Sequence, residues 1–311
     1  MTINFLVIAH DSPRQLERLV EELALAGRVW IHIDGRVDLE PYRRLEEIGG
    51  ATLIDRRVAC AWGTFSIVQA TLNLLEEVSR HGAPGPVVLL SGQDYPIKNP
   101  NDVREYFRVN SETIHVDISP AETAWPSEYL IRTRSLAVPV GSERMDVKLL
   151  GSISEMSIRG QLGWLRLLTR SHGLRRGLQW YVAAYRPRVV WASQLYGGSQ
   201  WWAVPWDVML AMLRWVDDNP RFVRNQRYAF CPDETFFPTV LHELIASQFS
   251  SYTVRKPVTH VDWSALEAED RPRTWRVTDV PDLVARPGVL FVRKVDESKF
   301  PGVIGAIRDS W

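Results

Sequence analysis

The chain is expected to be an α/β protein with a mostly parallel central sheet, and three observations carry that expectation. Short β-prone runs alternate with amphipathic helical stretches through the first third. One of those runs, Pro86 to Leu90, is apolar throughout, as a strand covered on both faces must be. His10, Asp34 and Asp94 each stand just beyond the end of a run, where open α/β sheets bind ligands.

The elements follow in order. Phe5 to Ala9 is a first buried strand; it is preceded by no basic region, so it does not read as a signal peptide. Ser12-Pro13 opens a helix whose Leu16, Leu19, Val20 and Leu23 share one face. Val29 to Ile33 is a second strand ending in His32-Ile33-Asp34-Gly35. Pro41 to Ile48 reads as helical and Thr52 to Ile54 as a short strand. Ser66 to Ser79 is a strong helix with Ile67, Ala70, Leu74, Leu75 and Val78 inward, and Trp62 before it reads as packing. Residues 120–150 show no clear period.

Residues 155–190 form a basic helical insertion. From 157 to 206 there is no Asp or Glu, while Arg159, Arg166, Arg170, Arg175, Arg176, Arg186 and Arg188 alternate with Trp164, Leu167, Leu168, Leu174, Leu178, Trp180 and Tyr181. That pattern suits either a solvated helix face or docking on an anionic membrane or polyanionic glycan. Beyond it, a strand over Gln200 to Val204, helices over Trp206 to Val216 and through Leu241 to Ala246, and a strand over Val289 to Val292 are expected. With 45% hydrophobic residues and no repeat or flexible linker, residues 1–311 are expected to form one elaborated domain.

Composition excludes several functions. Acids and bases balance at 37 each, so bulk charge does not draw the chain to nucleic acid. No stretch is apolar enough to span a membrane. Cys60 and Cys231 form no metal or redox pattern and fit a reducing compartment, with a single disulfide left open. The glycine loops of Rossmann and P-loop sites are missing, as are a D-x-D metal motif, an H-E-x-x-H zinc motif and a G-x-S-x-G elbow. Trp occurs 13 times, more than a core requires, so some are expected to line a binding cleft.

The chemistry concentrates at Cys231-Pro232-Asp233-Glu234, two adjacent carboxylates at a loop-to-helix junction in an aromatic setting. Such a carboxylate is a cap, a pair member or a catalyst. A glycoside hydrolase needs two carboxylates across the scissile bond, and adjacent residues cannot straddle one. Downstream, Arg273, Arg276, Arg293 and Lys294 offer a cluster of positive charge.

Six segments in order resemble one family: Ile31-His32-Ile33-Asp34, Trp62 to Ala70, Leu89 to Lys98, Gly198-Ser199-Gln200-Trp201-Trp202, Cys231-Pro232-Asp233-Glu234 and Leu290 to Lys294. Together they resemble the core-2/I-branching β-1,6-N-acetylglucosaminyltransferases and peptide O-xylosyltransferases, glycosyltransferase family 14, in a bacterial-type form. The resemblance implies a GT-A-like fold, with a nucleotide-binding half over about 1–110 and an acceptor and catalytic half over 111–311. It also implies inverting, metal-independent transfer of GlcNAc or xylose from a UDP-sugar to a hydroxyl of a glycan, glycoconjugate or glycosylated small molecule.

On that resemblance Glu234 is the general base, with Cys231 in place of the family's usual Ser. Arg273 and Lys294 neutralise the UDP diphosphate in place of a metal, and Arg271 stands where the family often has His. Physical reasoning supports the division of labour: a base must take the acceptor proton, and cations must meet charge building on the leaving group. Asp233 either caps the helix or joins Glu234 in the cleft. Asp34 serves either a strand-end turn or the ribose, and Val7 and His10 lie near the uracil. Asp94, with Gln93, Ser199 and Trp201, is assigned to the donor or acceptor sugar; capping or core packing is the competing role. No cofactor beyond the UDP-sugar is expected, and no nucleic-acid partner. The expected location is the cytoplasm, or the inner-membrane surface through 157–190. The alternative is a non-catalytic carbohydrate- or nucleotide-binding protein of the same fold.

Overall fold

The computed structural model describes residues 1–141, 143–185, 194–264 and 272–311. Arg186, Arg188 and Arg271, and the end of the 155–190 insertion, lie outside the described residues.

The first third alternates as expected: β1 (Ile3–Ala9), α1 (Pro13–Ala26), β2 (Gly27–Ile33), β3 (Ala51–Leu53), α2 (Phe65–His81) and β4 (Val87–Ser91). There follow β5 (Asp94–Pro96), α3 (Pro100–Val109), β6 (Thr113–His115), β7 (Ser119–Pro120), α4 (Ala121–Ala124), α5 (Tyr129–Arg134), β8 (Leu136–Pro139) and β9 (Val147–Leu150). The rest is α6 (Ile158–Ala184), β10 (Tyr196–Gly197), β11 (Ala203–Val204), α7 (Trp206–Asp218), α8 (Pro220–Gln226), α9 (Asp233–Ser247), β12 (Thr253–Arg255), β13 (Thr259–Val261), α10 (Val280–Val284), β14 (Phe291–Arg293) and α11 (Val303–Arg308).

Seven strands form the central sheet in the order β12-β6-β11-β4-β1-β2-β3. All its pairings are parallel except the two made by β11, so the expected mostly parallel sheet flanked by helices is present. Side chains alternate along β1 as a strand requires. Phe5 and Val7 enter the core beneath α1 with Leu16, Leu19 and Val20. Leu6 enters the opposite core with Val68, Leu72 and Leu75 of α2 and Phe236, Phe237 and Val240 of α9. A smaller sheet, β13-β14-β5, sits beside the first.

Four expectations are corrected. Pro41 to Ile48 is a 3₁₀ helix over Glu40–Glu47, with only Tyr42 and Leu45 buried. The strand expected from Gln200 shrinks to Ala203–Val204, because the chain first turns through Ser199, whose hydroxyl accepts from the Trp201 amide at 3.2 Å. The last strand is shifted to Phe291–Arg293 by its register against β5. The featureless 120–150 stretch holds α4, α5 and the β8–β9 hairpin, elements too short to show a period.

The insertion builds its own small core. Leu168 and Ala184 of α6 pack with Leu136, Val138, Leu150 and Ile153. The helix breaks at Gly173, whose φ of 74° belongs to the left-handed region that glycine enters freely. The two arms approach closely at Gly177, where a Cβ would stand 2.6 Å from the Thr169 Cα.

Phe236 is fully buried and meets Phe65, Phe222 and Phe237 at ring-centroid distances of 5.2–5.8 Å. Phe236→Ala is expected to cost about 3–5 kcal/mol in urea unfolding. A cost below about 1 kcal/mol would show that α9 is not anchored through this cluster.

Candidate active site

A cleft of about 460 Å³ opens over the carboxyl ends of β1 and β4. Ala9, His10 and Asp11 come from the end of β1, and Ser91, Gly92 and Gln93 from the end of β4. Gly197 to Trp201, Cys231, Asp233 and Glu234, and Arg293 complete the functional part of its lining. Trp62, Trp125, Trp201 and Trp263 also line it, as the Trp content led one to expect. Trp62 is thus a cleft residue, exposed and edge-on to Phe230 at 5.7 Å, rather than buried packing.

Glu234 is placed by three local features. Cys231 turns the chain with φ 44°, an unusual conformation for a residue with a side chain, and its amide donates to the Gly63 carbonyl at 2.9 Å. Helix α9 then starts at Asp233. Four residues beyond Glu234 comes Pro238, which has no N–H to give the Glu234 carbonyl. The Gly198 amide takes that acceptor instead, at 3.0 Å, and so ties the 197–201 segment to the carboxylate's own residue.

The Glu234 side chain is 26% accessible, and its Oε2 accepts from Nη1 of Arg132 at 2.7 Å. Arg132 is buried, lies 3.9 Å over the Trp125 ring and also meets Glu128 at 3.0 Å. Burial pushes the Glu234 carboxyl above its ordinary range, while Arg132 opposes that rise. Neither Arg132 nor Trp125 was singled out in the sequence, since α5 is one short helix without a period. The i,i+4 pair Glu128 and Arg132 is the one signal there.

Asp233 does not cap the helix. It is the first helical residue, the capping position belongs to Pro232, and no side-chain cap bond forms. Its carboxylate is buried, with Oδ1 lacking a hydrogen-bond partner among the described residues. Burial, and then the neighbouring Glu234 charge, raise it to about 7.

The positive side of the cleft comes from Arg144 and Arg293. Arg293 pairs with Asp94 at 3.0 Å, also reaches the Ser91 hydroxyl, and lies 4.7 Å over Trp201. Sheet register dictates that pair, because Arg293 stands opposite Asp94 between β14 and β5. Arg144 has a buried Nε with no hydrogen-bond partner among the described residues. Burial lowers its pKa, and the charges of both arginines, after burial, hold His10 below the ordinary histidine value.

The remaining expected residues divide. His10, Gln93, Ser199, Trp201, Asp233 and Glu234 line the cleft together. Asp94 lies fully buried beneath it, accepting from the Ser91 amide and hydroxyl at 2.8 Å. Val7 is buried within β1. Asp34 is buried and accepts from the Arg36 and Cys60 amides, as a strand-end turn residue does. Arg273 and Lys294 are neighbours, joined by the Lys294 amide to the Arg273 carbonyl at 3.3 Å, but neither lines the cleft. Arg273 pairs with Asp279 at 2.6 Å and approaches Asp262 at 3.7 Å; the cleft is instead reached by their neighbours Pro272 and Arg293. Cys60 and Cys231 are both free and buried. Among the described residues, no three His, Cys, Asp or Glu side chains gather as a metal site.

The family model for the core-2/I-branching enzymes matches residues 3–283. The chain belongs to the core-2/I-branching enzyme family. The protein is therefore a glycosyltransferase, with a sugar donor and an acceptor. No curated protein matches it. Solved structures that it resembles include a putative glucose-1-phosphate thymidylyltransferase from Bacillus anthracis in complex with a sucrose. That likeness has 14% identity and a TM-score of 0.26, and covers 60% of this chain and 96% of that one.

Two outcomes test the carboxylates. Arg132 stabilises ionised Glu234, so Arg132→Met should move the acid limb of the transfer pH profile upward by about 1–3 units; an unmoved limb would remove Arg132 from the site. Asp233 binds its proton more tightly folded, at about 7, than at its unperturbed value of 3.8. Stability from this group is therefore present below the lower value and lost as pH rises through the upper one. Asp233→Asn should gain on the wild type across that window in denaturant titrations, then hold a constant difference above it. Parallel pH curves for the two proteins would contradict the burial argument.

Proposed function

We propose that this glycosyltransferase transfers GlcNAc or xylose from a UDP-sugar to a hydroxyl of a glycan, glycoconjugate or glycosylated small molecule, by inversion and without a metal. The observation that carries the reading is Glu234, a partly buried carboxylate at the cleft whose Oε2 is held by Arg132. Among the described residues no donor occupies Oε1, which leaves that oxygen to accept the acceptor's proton. Attack by that hydroxyl on the anomeric carbon forms the new glycosidic bond as the bond to the diphosphate breaks, and the proton passes to Glu234. One base on one side of the reacting carbon fits a single displacement, which inverts the centre.

The leaving diphosphate needs positive charge where its own charge builds. Arg293 and Arg144 line the cleft, and Lys294 and Arg273 stand directly behind Arg293 in the chain and its neighbouring strand-like pairing. We assign the diphosphate to this end, with Arg273 exchanging its Asp279 contact for phosphate when the donor binds. His10 at the end of β1 is assigned to the uracil, and Gln93, Ser199, Trp201 and Asp233 to the sugars. An aromatic face against a sugar ring suits the tryptophan-lined mouth. The site of action is proposed to be the cytoplasm, at or near the inner-membrane surface.

Calorimetry with UDP in the presence of EDTA, followed by transfer assays over a UDP-sugar panel, tests the reading. UDP should bind with EDTA present. Glu234→Gln should keep that affinity and lose transfer by about 10²–10⁴-fold. Lys294→Ala and Arg144→Ala should each weaken UDP by about 10–100-fold, as expected for a charged hydrogen bond. Strict dependence on added manganese would overturn the metal-free claim. UDP binding without transfer to any acceptor would favour the non-catalytic alternative.

A further inference from the structure

The basic insertion carries an apolar face that nothing in the described fold covers. The arm after Gly173 places Leu174, Leu178, Val182 and Tyr185 at positions i, i+4, i+8 and i+11, and all four are exposed; Leu174 and Val182 are 71% and 72% accessible. In the preceding arm Ile158, 77% accessible, and Leu162 repeat the i, i+4 spacing. Successive turns of a helix bring such positions to one side. The hairpin's other side is already satisfied: Leu168 and Ala184 are buried, and Trp164, Trp180 and Tyr181 pack with Tyr228 and the β8–β9 hairpin. These helices are therefore apolar on two sides, one for the protein and one without a partner. Single exposed apolar residues are ordinary, but an ordered stripe of them is not.

Charge identifies the occupant. Arg159, Arg166, Arg170, Arg175 and Arg176 on the same two arms are all exposed. The chain has no Asp or Glu from 157 to 206, although acids and bases balance over the whole protein. A protein surface would be met by mixed charge; a soluble polyanion would not require the exposed leucines. An apolar stripe beside unopposed arginines fits an anionic lipid surface, with side chains entering the acyl boundary and guanidinium groups at the phosphates. Among the described residues no helix is long and apolar enough to cross a membrane, so the contact lies in the interfacial plane.

We propose that the helical hairpin over 158–184 docks this enzyme on an anionic bilayer surface. The contact serves delivery rather than chemistry, since none of its residues lines the cleft. An acceptor held at a membrane surface would then be met by an enzyme already concentrated there.

Sedimentation of the 311-residue chain with phosphatidylcholine vesicles, with and without phosphatidylglycerol, tests the proposal. The protein should pellet with phosphatidylglycerol vesicles at low salt and be released as salt rises. The triple variant Leu174→Ser/Leu178→Ser/Val182→Ser should lose binding. Arg175→Gln/Arg176→Gln should lower partitioning by about fivefold for each arginine removed. Both variants should bind UDP as the wild type does, which separates this proposal from the catalytic one and confirms that they fold. Wild-type protein that ignores phosphatidylglycerol overturns the proposal. So does vesicle binding that survives both variants, binding to dextran sulfate but not to vesicles, or a self-association abolished by the triple variant with no vesicle binding.

Discussion

Two carboxylates at this cleft are each held by an arginine brought from a distant part of the chain, and the geometry of the site depends on those two pairings. Asp94, fully buried, is met by Arg293; Glu234 is met by Arg132. A buried carboxylate without a partner is costly, and breaking such a pair from one side costs about 3–5 kcal/mol. The pairs therefore constrain where β14 and α5 can lie relative to the sheet. They also constrain the aromatic walls, since Arg132 lies over Trp125 and Arg293 over Trp201.

Asp233 is the exception, and its isolation is informative. It shares the start of α9 with Glu234, but among the described residues it pairs with no arginine and its Oδ1 is left without a hydrogen bond. Burial raises both carboxyls; Arg132 opposes the rise at Glu234, and Glu234's charge adds to the rise at Asp233.

The backbone contributes as much as the charges. Pro238 releases the Glu234 carbonyl from the helix ladder, and Gly198 takes it. This places Ser199 and Trp201 against the carboxylate's own turn. The same Pro-directed logic is visible in the sequence only once α9 is known to start at Asp233. The 197–201 segment could be recognised as a motif, but its partner could not be named.

Periodic features were legible without coordinates. The strand-helix alternation of the first third, the uniformly apolar run of β4, the inward faces of α1 and α2, and the strand-end position of His10 all follow from local spacing, because each is set by burial of residues near one another in the chain. The two carboxylates at 233 and 234 were legible as chemistry for the same reason: polar groups in an aromatic setting need an explanation. Tertiary structure alone decided which of them has a counter-ion, that Asp233 is no cap, and that Trp62 faces the cleft. It also placed Arg144 and Arg293 in the lining while setting Arg273 against Asp279 and Lys294 just behind. Those outcomes depend on desolvation and on pairings across about a hundred residues or more. Local spacing holds no record of either, since a counter-ion's position is fixed only when separate segments pack.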